Sequence, residues 1–197
     1  VQDTPVEFVM VDQEPELVAA RTILTTMCTE ALEELGLPAR TAKKDLIAAQ
    51  AVARTNQDRR SQFFLAKVMK LQQAIMLADT QGPRTLIQYI SSLKADPSKA
   101  AESIRRDYRI NQVLDLAGRV RVGEKLQAVI RLTSHQIISK PDSKILLFCS
   151  YRDTVDAVLD VLTRAADLAD FRISPGVLVG QTKGMSQKKQ QEALQKF

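Results

Sequence analysis

Apolar positions recur in steps of three and four through most of the first 140 residues, and this spacing predicts a succession of amphipathic helices. From Pro15, the residues Leu17, Ala20, Leu24, Met27, Ala31 and Leu35 lay one stripe along a first helix that Gly36 and Pro38 stop. Thr41 is an N-cap for a second helix with a weaker, alanine-rich face of Leu46, Ala49, Val52 and Ala53. The third is the clearest, with Phe64, Val68, Leu71, Ile75 and Ala78 repeating until Gly82-Pro83. Pro83 suits the first turn of a fourth helix with Leu86, Ile90 and Leu93 inward. Pro97 and Ser98 open a fifth through Ala101, Ile104 and Tyr108, running on toward Val113 and Ala117. A sixth spans Gly123 to Ser139 with Leu126, Ile130 and Ile137 on one side.

Two stretches break this rhythm. Val6 to Val11 is short and β-rich and reads as a strand arriving from something before Val1. Beyond Lys140-Pro141-Asp142, the continuous apolar run Lys144 to Cys149 has the pattern of a buried parallel strand. A helix follows through Val155, Val158, Leu162 and Ala165, then a second strand at Gly176 to Gly180 and a helix capped by Ser186. This β-α-β-α order belongs to a doubly wound sheet, and two strands cannot cover their own edges, so the domain is expected to continue past Phe197. The expected fold is therefore a mainly α helical domain followed by an incomplete α/β, parallel-sheet domain.

The composition narrows the function classes. No apolar run approaches the ~20 residues of a membrane helix, and 26% charged with 45% hydrophobic residues is an ordinary globular composition. Cys28 and Cys149 cannot build a disulfide framework, which places the chain in a reducing, cytoplasmic interior, and one histidine, His135, makes a zinc site improbable. The net charge of +5 hides a segregation: residues 1–37 hold one cation against eight acids, residues 38–140 hold 19 against eight, and residues 141–197 hold eight against seven. A middle region with such an excess attracts polyanions, nucleic acid above all, although a solvated basic surface has the same composition.

Catalytic chemistry is largely missing. Gly180-Gln181-Thr182-Lys183-Gly184 lacks the spacing and the final pair of a triphosphate cradle, and no acid pair suited to magnesium occurs. Neither catalytic nor metal-ligating residues are assigned. What remains is positional: Ser150, Tyr151 and Arg152 follow the first predicted strand, and Gln181 and Lys183 follow the second, at the strand ends where open sheets meet ligands. Those groups, with Ser186 at a helix start, suit phosphate oxygens. The alternative is that Arg152 pairs with Asp153 and Ser186 only caps. In the helical region Lys43, Lys44, Arg59, Arg60, Lys67, Lys70, Arg105, Arg106 and Arg109 fall off the apolar stripes and form a candidate basic surface. Only Tyr89 and Tyr108 are near them, which favours backbone contacts over base stacking.

Ser143-Lys144-Ile145-Leu146-Leu147-Phe148-Cys149-Ser150-Tyr151-Arg152-Asp153-Thr154, together with Val179 to Gln190, closely resembles the opening of the second RecA-like domain in superfamily 2 helicases of the Hef and Fanconi anaemia M group. Val6 to Val18 resembles that family's exit strand and first insert helix, and Leu77-Ala78-Asp79-Thr80-Gln81-Gly82 a turn of its helical insertion. The resemblance implies residues 1–13 as the exit from a first motor domain, 14–140 as a basic helical insertion, and 141–197 as the start of the second motor domain. It implies an ATP-driven helicase or translocase on forked or branched DNA, with ATP and Mg²⁺ used by the parent protein and neither bound by this stretch alone. By the same resemblance, Ser150, Tyr151, Arg152, Gln181, Lys183, Ser186 and Gln187 hold the strand's backbone or support the loop that does. Two other readings stand beside this one: a noncatalytic helical adaptor for protein partners, and the equivalent segment of a duplex-RNA-sensing helicase.

Overall fold

The computed structural model describes residues 9–120, 123–140, 144–149 and 152–169. It divides into two compact units, Val1–Glu124 and Lys125–Phe197. In the first unit the helices are α1 (Pro15–Glu33), α2 (Lys43–Thr55), α3 (Arg59–Thr80), α4 (Pro83–Ser92), α5 (Lys99–Arg106) and α6 (Arg109–Arg119). The second unit contains nearly all of α7 (Glu124–Ser139) and α8 (Arg152–Ala169).

The two longest helices organise the bundle. α3 packs against α1, α2, α4 and α5, while α6 closes the other side against α1 and α4. Leu17, Leu24, Met27 and Leu32 of α1 meet Leu65, Val68 and Leu71 of α3 in one continuous core, joined by Leu46, Leu86, Ile104 and Val113 from the shorter helices. Burying a side chain of this size contributes about 1.5–3 kcal/mol, and this term holds short helices that would not persist alone.

The junctions follow local chemistry. Asp58 caps α3, its carboxylate accepting the Ser61 backbone N–H at 3.1 Å and the Ser61 hydroxyl at 2.6 Å. Ser98 caps α5 by accepting from the Ala101 N–H at 3.3 Å. Gly82 ends α3 at φ +91°, with its N–H and that of Gln81 both donating to the Leu77 carbonyl. The backbone can then turn directly into Pro83 and α4.

The structure departs from the sequence expectations at several places. The expected fifth helix is two: Asp107 is extended at ψ 122° and its carboxylate accepts the Arg109 backbone N–H at 3.0 Å, starting α6 afresh. Tyr108, expected inward, is 71% exposed at that break. The N-cap of α2 is Ala42, because the Thr41 hydroxyl turns back to the Pro38 carbonyl at 2.6 Å. Val52 of the same helix is 60% exposed, since Leu46 and Ala53 alone of its residues reach full burial.

In the second unit α7 buries Ala128 and Thr133, and α8 buries Val158 and Leu162. No strand is present among the described residues. Residues 144–149, expected as a buried strand, form none, and Phe148 is 92% exposed. A strand exists only through a neighbour's hydrogen bonds, and the second expected strand, 176–180, lies outside the described residues. So does half of the first expected strand, residues 6–8, while its described half, residues 9–11, carries no regular element. The sheet domain is thus an expectation from sequence, whereas the helical domain is observed.

Candidate nucleic-acid interface

The nine cations singled out in the helical region divide by what their side chains touch. Lys43 and Lys44 open α2, Arg59 opens α3, and Arg105 lies in the last turn of α5. All four are exposed and have no ion-pair partner among the described residues. Lys43, Lys44 and Arg59 stand where the helix dipole disfavours positive charge. α2 has no side-chain cap to offset this, while α3 has Asp58. In α2 the acid Asp45 in the first turn offsets part of this charge.

Two further cations are exposed but paired. Arg60 meets Glu34 at 2.7 Å and lies 5.9 Å from the centre of the Phe64 ring. Arg106 meets Glu102 one turn back at 2.7 Å. Surface pairs of this kind are weak enough for a polyanion to compete with the carboxylate.

Of the remaining three, Lys67 is half-buried on α3, whereas Lys70 and Arg109 are built into the bundle. Lys70 donates to Asp96 at 2.5 Å while its own carbonyl accepts the Tyr89 hydroxyl at 3.1 Å, tying α3 to α4 and to the turn before α5. The Lys70 ammonium, with Ser98, holds the Asp96 carboxyl far below its usual range. Arg109 is only 22% exposed and donates to Glu30 at 2.6 and 2.7 Å and to Asp107 at 2.8 and 2.9 Å. Hydrogen bonds from Arg109 lower both carboxylates, with the charge of Lys67 assisting. Arg109 and Lys70 are therefore engaged by acids within the bundle and hold helices together.

Periodicity could place these nine side chains off the core stripe but could not say which had found acids distant in sequence. It also passed over Arg40 and Arg54, which are exposed at the two ends of α2. A helical wheel of α2 reveals the signal, because Arg54 falls on the same edge as Lys43. Of the other candidates, Arg152 begins α8, and Ser150, Tyr151, Gln181, Lys183, Ser186 and Gln187 lie outside the described residues.

The aromatic side chains add little. Tyr89 is tied to Lys70, and burial, with Asp96 nearby, pushes its phenol up to about 12. Tyr108 alone of the two tyrosines presents a free ring. The arrangement suits attraction of a phosphate backbone and offers little for stacking bases.

The six helices of the first unit carry, on α2, α3 and α5, exposed cations with no ion-pair partner among the described residues, and the match to a family model defines a helicase-type helical domain. Residues 17–124 match the family described as "Putative ATP-dependent RNA helicase, helical bundle", and the chain belongs to that family. The likeness extends to a Hef-like superfamily 2 helicase: the crystal structure of the Pyrococcus furiosus Hef helicase domain superposes with a TM-score of 0.76 at 26% identity, over 100% of this chain and 44% of that one. A Methanocaldococcus jannaschii protein named "Putative ATP-dependent RNA helicase" is 32% identical over 133 residues, 67% of this chain and 17% of that protein. The chain thus spans less than half of either relative.

The described residues do not fit ATP or its metal ion. No three His, Cys, Asp or Glu side chains come together among them, and their glycines lie in helix ends, in α6 or before α7 rather than in a strand-to-helix cradle. No described helix is long and apolar enough to cross a membrane.

Proposed function

We propose that this chain is the helical insertion, followed by the opening of the second RecA-like motor domain, of an ATP-dependent superfamily 2 helicase acting on forked or branched DNA. In this reading residues 1–13 lead from a first motor domain, 14–140 form the insertion and 141–197 begin the second motor domain. ATP and Mg²⁺ serve the whole protein, and this stretch supplies grip on nucleic acid. The carrying observation is that Lys43, Lys44, Arg59 and Arg105 stand exposed, with no ion-pair partner among the described residues, on a chain that is similar over its whole length to 44% of the Hef helicase domain.

The physical action is counterion release. Each cation that reaches a phosphate displaces condensed ions, adding about 0.9 to the logarithmic salt slope for duplex and about 0.7 for single strands. Arg109 and Lys70 keep their carboxylates and join α1 to α6 and α3 to α4 and the turn before α5. Few exposed rings accompany them, so recognition rests on shape and backbone, which suits a branched substrate of any sequence. In the same reading Ser150, Tyr151, Arg152, Gln181, Lys183, Ser186 and Gln187 hold the nucleic-acid backbone on the motor lobe or support the loop that does.

The test is binding of labelled forked DNA and of duplex RNA to this chain across a salt series, with ATP turnover followed in parallel. Fork binding that weakens with salt, and a slope that falls by about 3–4 when all four cations become glutamine, is expected, with no turnover. Salt-insensitive binding overturns the proposal. Tighter binding of duplex RNA favours an RNA substrate, the class named for the M. jannaschii relative. A protein that competes where DNA does not identifies an adaptor.

A further inference from the structure

We infer that the outward face of α2 is a docking surface for an acidic amphipathic helix of a partner protein, a role beyond the nucleic-acid grip proposed above. α2 leans on α3 through Leu46 and Ala53, and α3 pins it near both ends: the Gln62 amide donates to the Ala53 carbonyl at 3.0 Å and the Gln72 amide to the Thr41 carbonyl at 3.4 Å. The opposite face is therefore presented on a fixed support. It is also apolar, with Ile47 50% exposed, Val52 60% exposed, and Ala48 and Ala51 exposed between them.

Helical spacing gives this face a shape. Ala48 and Ala51 form a low floor, and the branched side chains of Ile47 and Val52 stand about 140° apart as walls on either side. A small-residue floor lets a second helix approach closely. Beside the Ile47 wall the helix carries Lys43 and Arg54, with Lys44 at the head of the stripe and Asp45 beside Val52. Three cations against one acid select a partner whose apolar ridge is edged by glutamate or aspartate. Lys43 and Lys44 belong to both surfaces, so partner and nucleic acid compete for this end of α2.

The experiment uses a fluorescein-labelled 18-residue peptide with leucines at helical spacing flanked by glutamates, and a scrambled peptide of equal composition. The ordered peptide is expected to bind, and the pair Ile47→Ser with Val52→Ser to weaken it about tenfold or more while fork binding and its salt slope stay unchanged. Ala51→Glu blocks the floor and gives the same loss; both sets alter exposed positions, and an unchanged thermal midpoint verifies folding. Absence of peptide binding, equal binding of the scrambled peptide, or full binding by the serine pair overturns the inference. Loss of fork binding in the serine pair also overturns it, by assigning the face to nucleic acid. These outcomes are independent of the salt-slope test, which does not involve Ile47, Ala51 or Val52.

Discussion

Arg109 and Glu30 are 79 positions apart, yet their side chains meet fork to fork, the two guanidinium nitrogens donating to the two carboxylate oxygens at 2.6 and 2.7 Å. The same guanidinium holds Asp107, so one side chain joins α1 to the start of α6 and fixes the break after α5. Replacing Arg109 with alanine strips two carboxylates of their donor. With Glu30 half exposed to screening solvent, a loss of about 1.5 kcal/mol is expected from urea unfolding. Arg109→Lys recovers less than half, because an ammonium cannot bridge both acids in the planar geometry. An alanine variant as stable as the parent refutes this role.

Acid should weaken the bundle through the same groups. Glu30 and Asp107 are lowered by hydrogen bonds from Arg109, and Asp96 by Lys70. Their folded pKa values lie below the unfolded ones, so their contribution is complete above the unfolded range near pH 4 and disappears as pH falls through the folded values. Urea midpoints should be flat from pH 7 to 5 and drop below pH 4, less steeply in Arg109→Ala. At the alkaline end burial raises Cys28 to about 11 and Tyr89 to about 12. Stability held below the unfolded values near pH 9–10 is therefore lost as pH rises through 11 and 12.

The division among the cations predicts two separable phenotypes. Lys70→Gln and Arg109→Gln should shift the unfolding midpoint and leave the salt slope of DNA binding unchanged. Lys43→Gln, Lys44→Gln, Arg59→Gln and Arg105→Gln should each lower that slope by about 0.7–0.9 without lowering the midpoint, which should rise slightly for Lys43, Lys44 and Arg59 because each removes a positive charge from a helix start. A common fall in both measurements for either set would show that the division has no functional meaning.

Gly82 offers a purely torsional test. At φ +91° and ψ −175° it occupies a region closed to L-residues, yet a Cβ there meets nothing within 4 Å. Gly82→Ala should cost about 1–3 kcal/mol by backbone strain alone, read as a lower thermal midpoint with α-helical circular dichroism retained below it. No change in midpoint would mean the turn relaxes.

The ends of the bundle are closed by Glu14, whose carboxylate accepts the Glu124 backbone N–H at the start of α7, while the Gln13 amide donates to the Ala78 carbonyl at 3.1 Å. A Cβ on Gly123 would lie 3.1 Å from that carboxylate oxygen and 3.6 Å from Pro83 Cδ. Glu14→Ala, and to a smaller degree Gly123→Ala, should speed hydrogen exchange at the Glu124 amide by about tenfold, matching loss of a bond to a charged acceptor. Unaltered exchange in both variants would show the bond is not formed in solution.

Helix starts and stops were legible where chemistry is local. Pro15, Pro83, Ser98 and Gly82 act within a few residues, and the structure uses each as the sequence suggests. The break at Asp107 was hidden because Tyr108 continues the apolar spacing, and only the backbone bond from Arg109 to the Asp107 carboxylate interrupts the helix. For the same reason Leu65, Ala74 and Leu77 joined the α3 core unannounced: a hub surrounded by four helices buries more than one stripe.

The sequence by itself determined the helical repertoire, the concentration of positive charge between residues 38 and 140, and the family, since these depend on neighbours three or four positions away or on motifs read in order. Only the tertiary structure decided which cations are free. Lys70 and Arg109 look no different from Lys43 and Arg59 in one dimension, and their acids, Asp96 and Glu30, lie 26 and 79 positions away. Packing α1 against α6, and α3 against α4 and α5, brings those charges within 3 Å. Coulomb attraction depends on distance through space, which a list of residues does not contain.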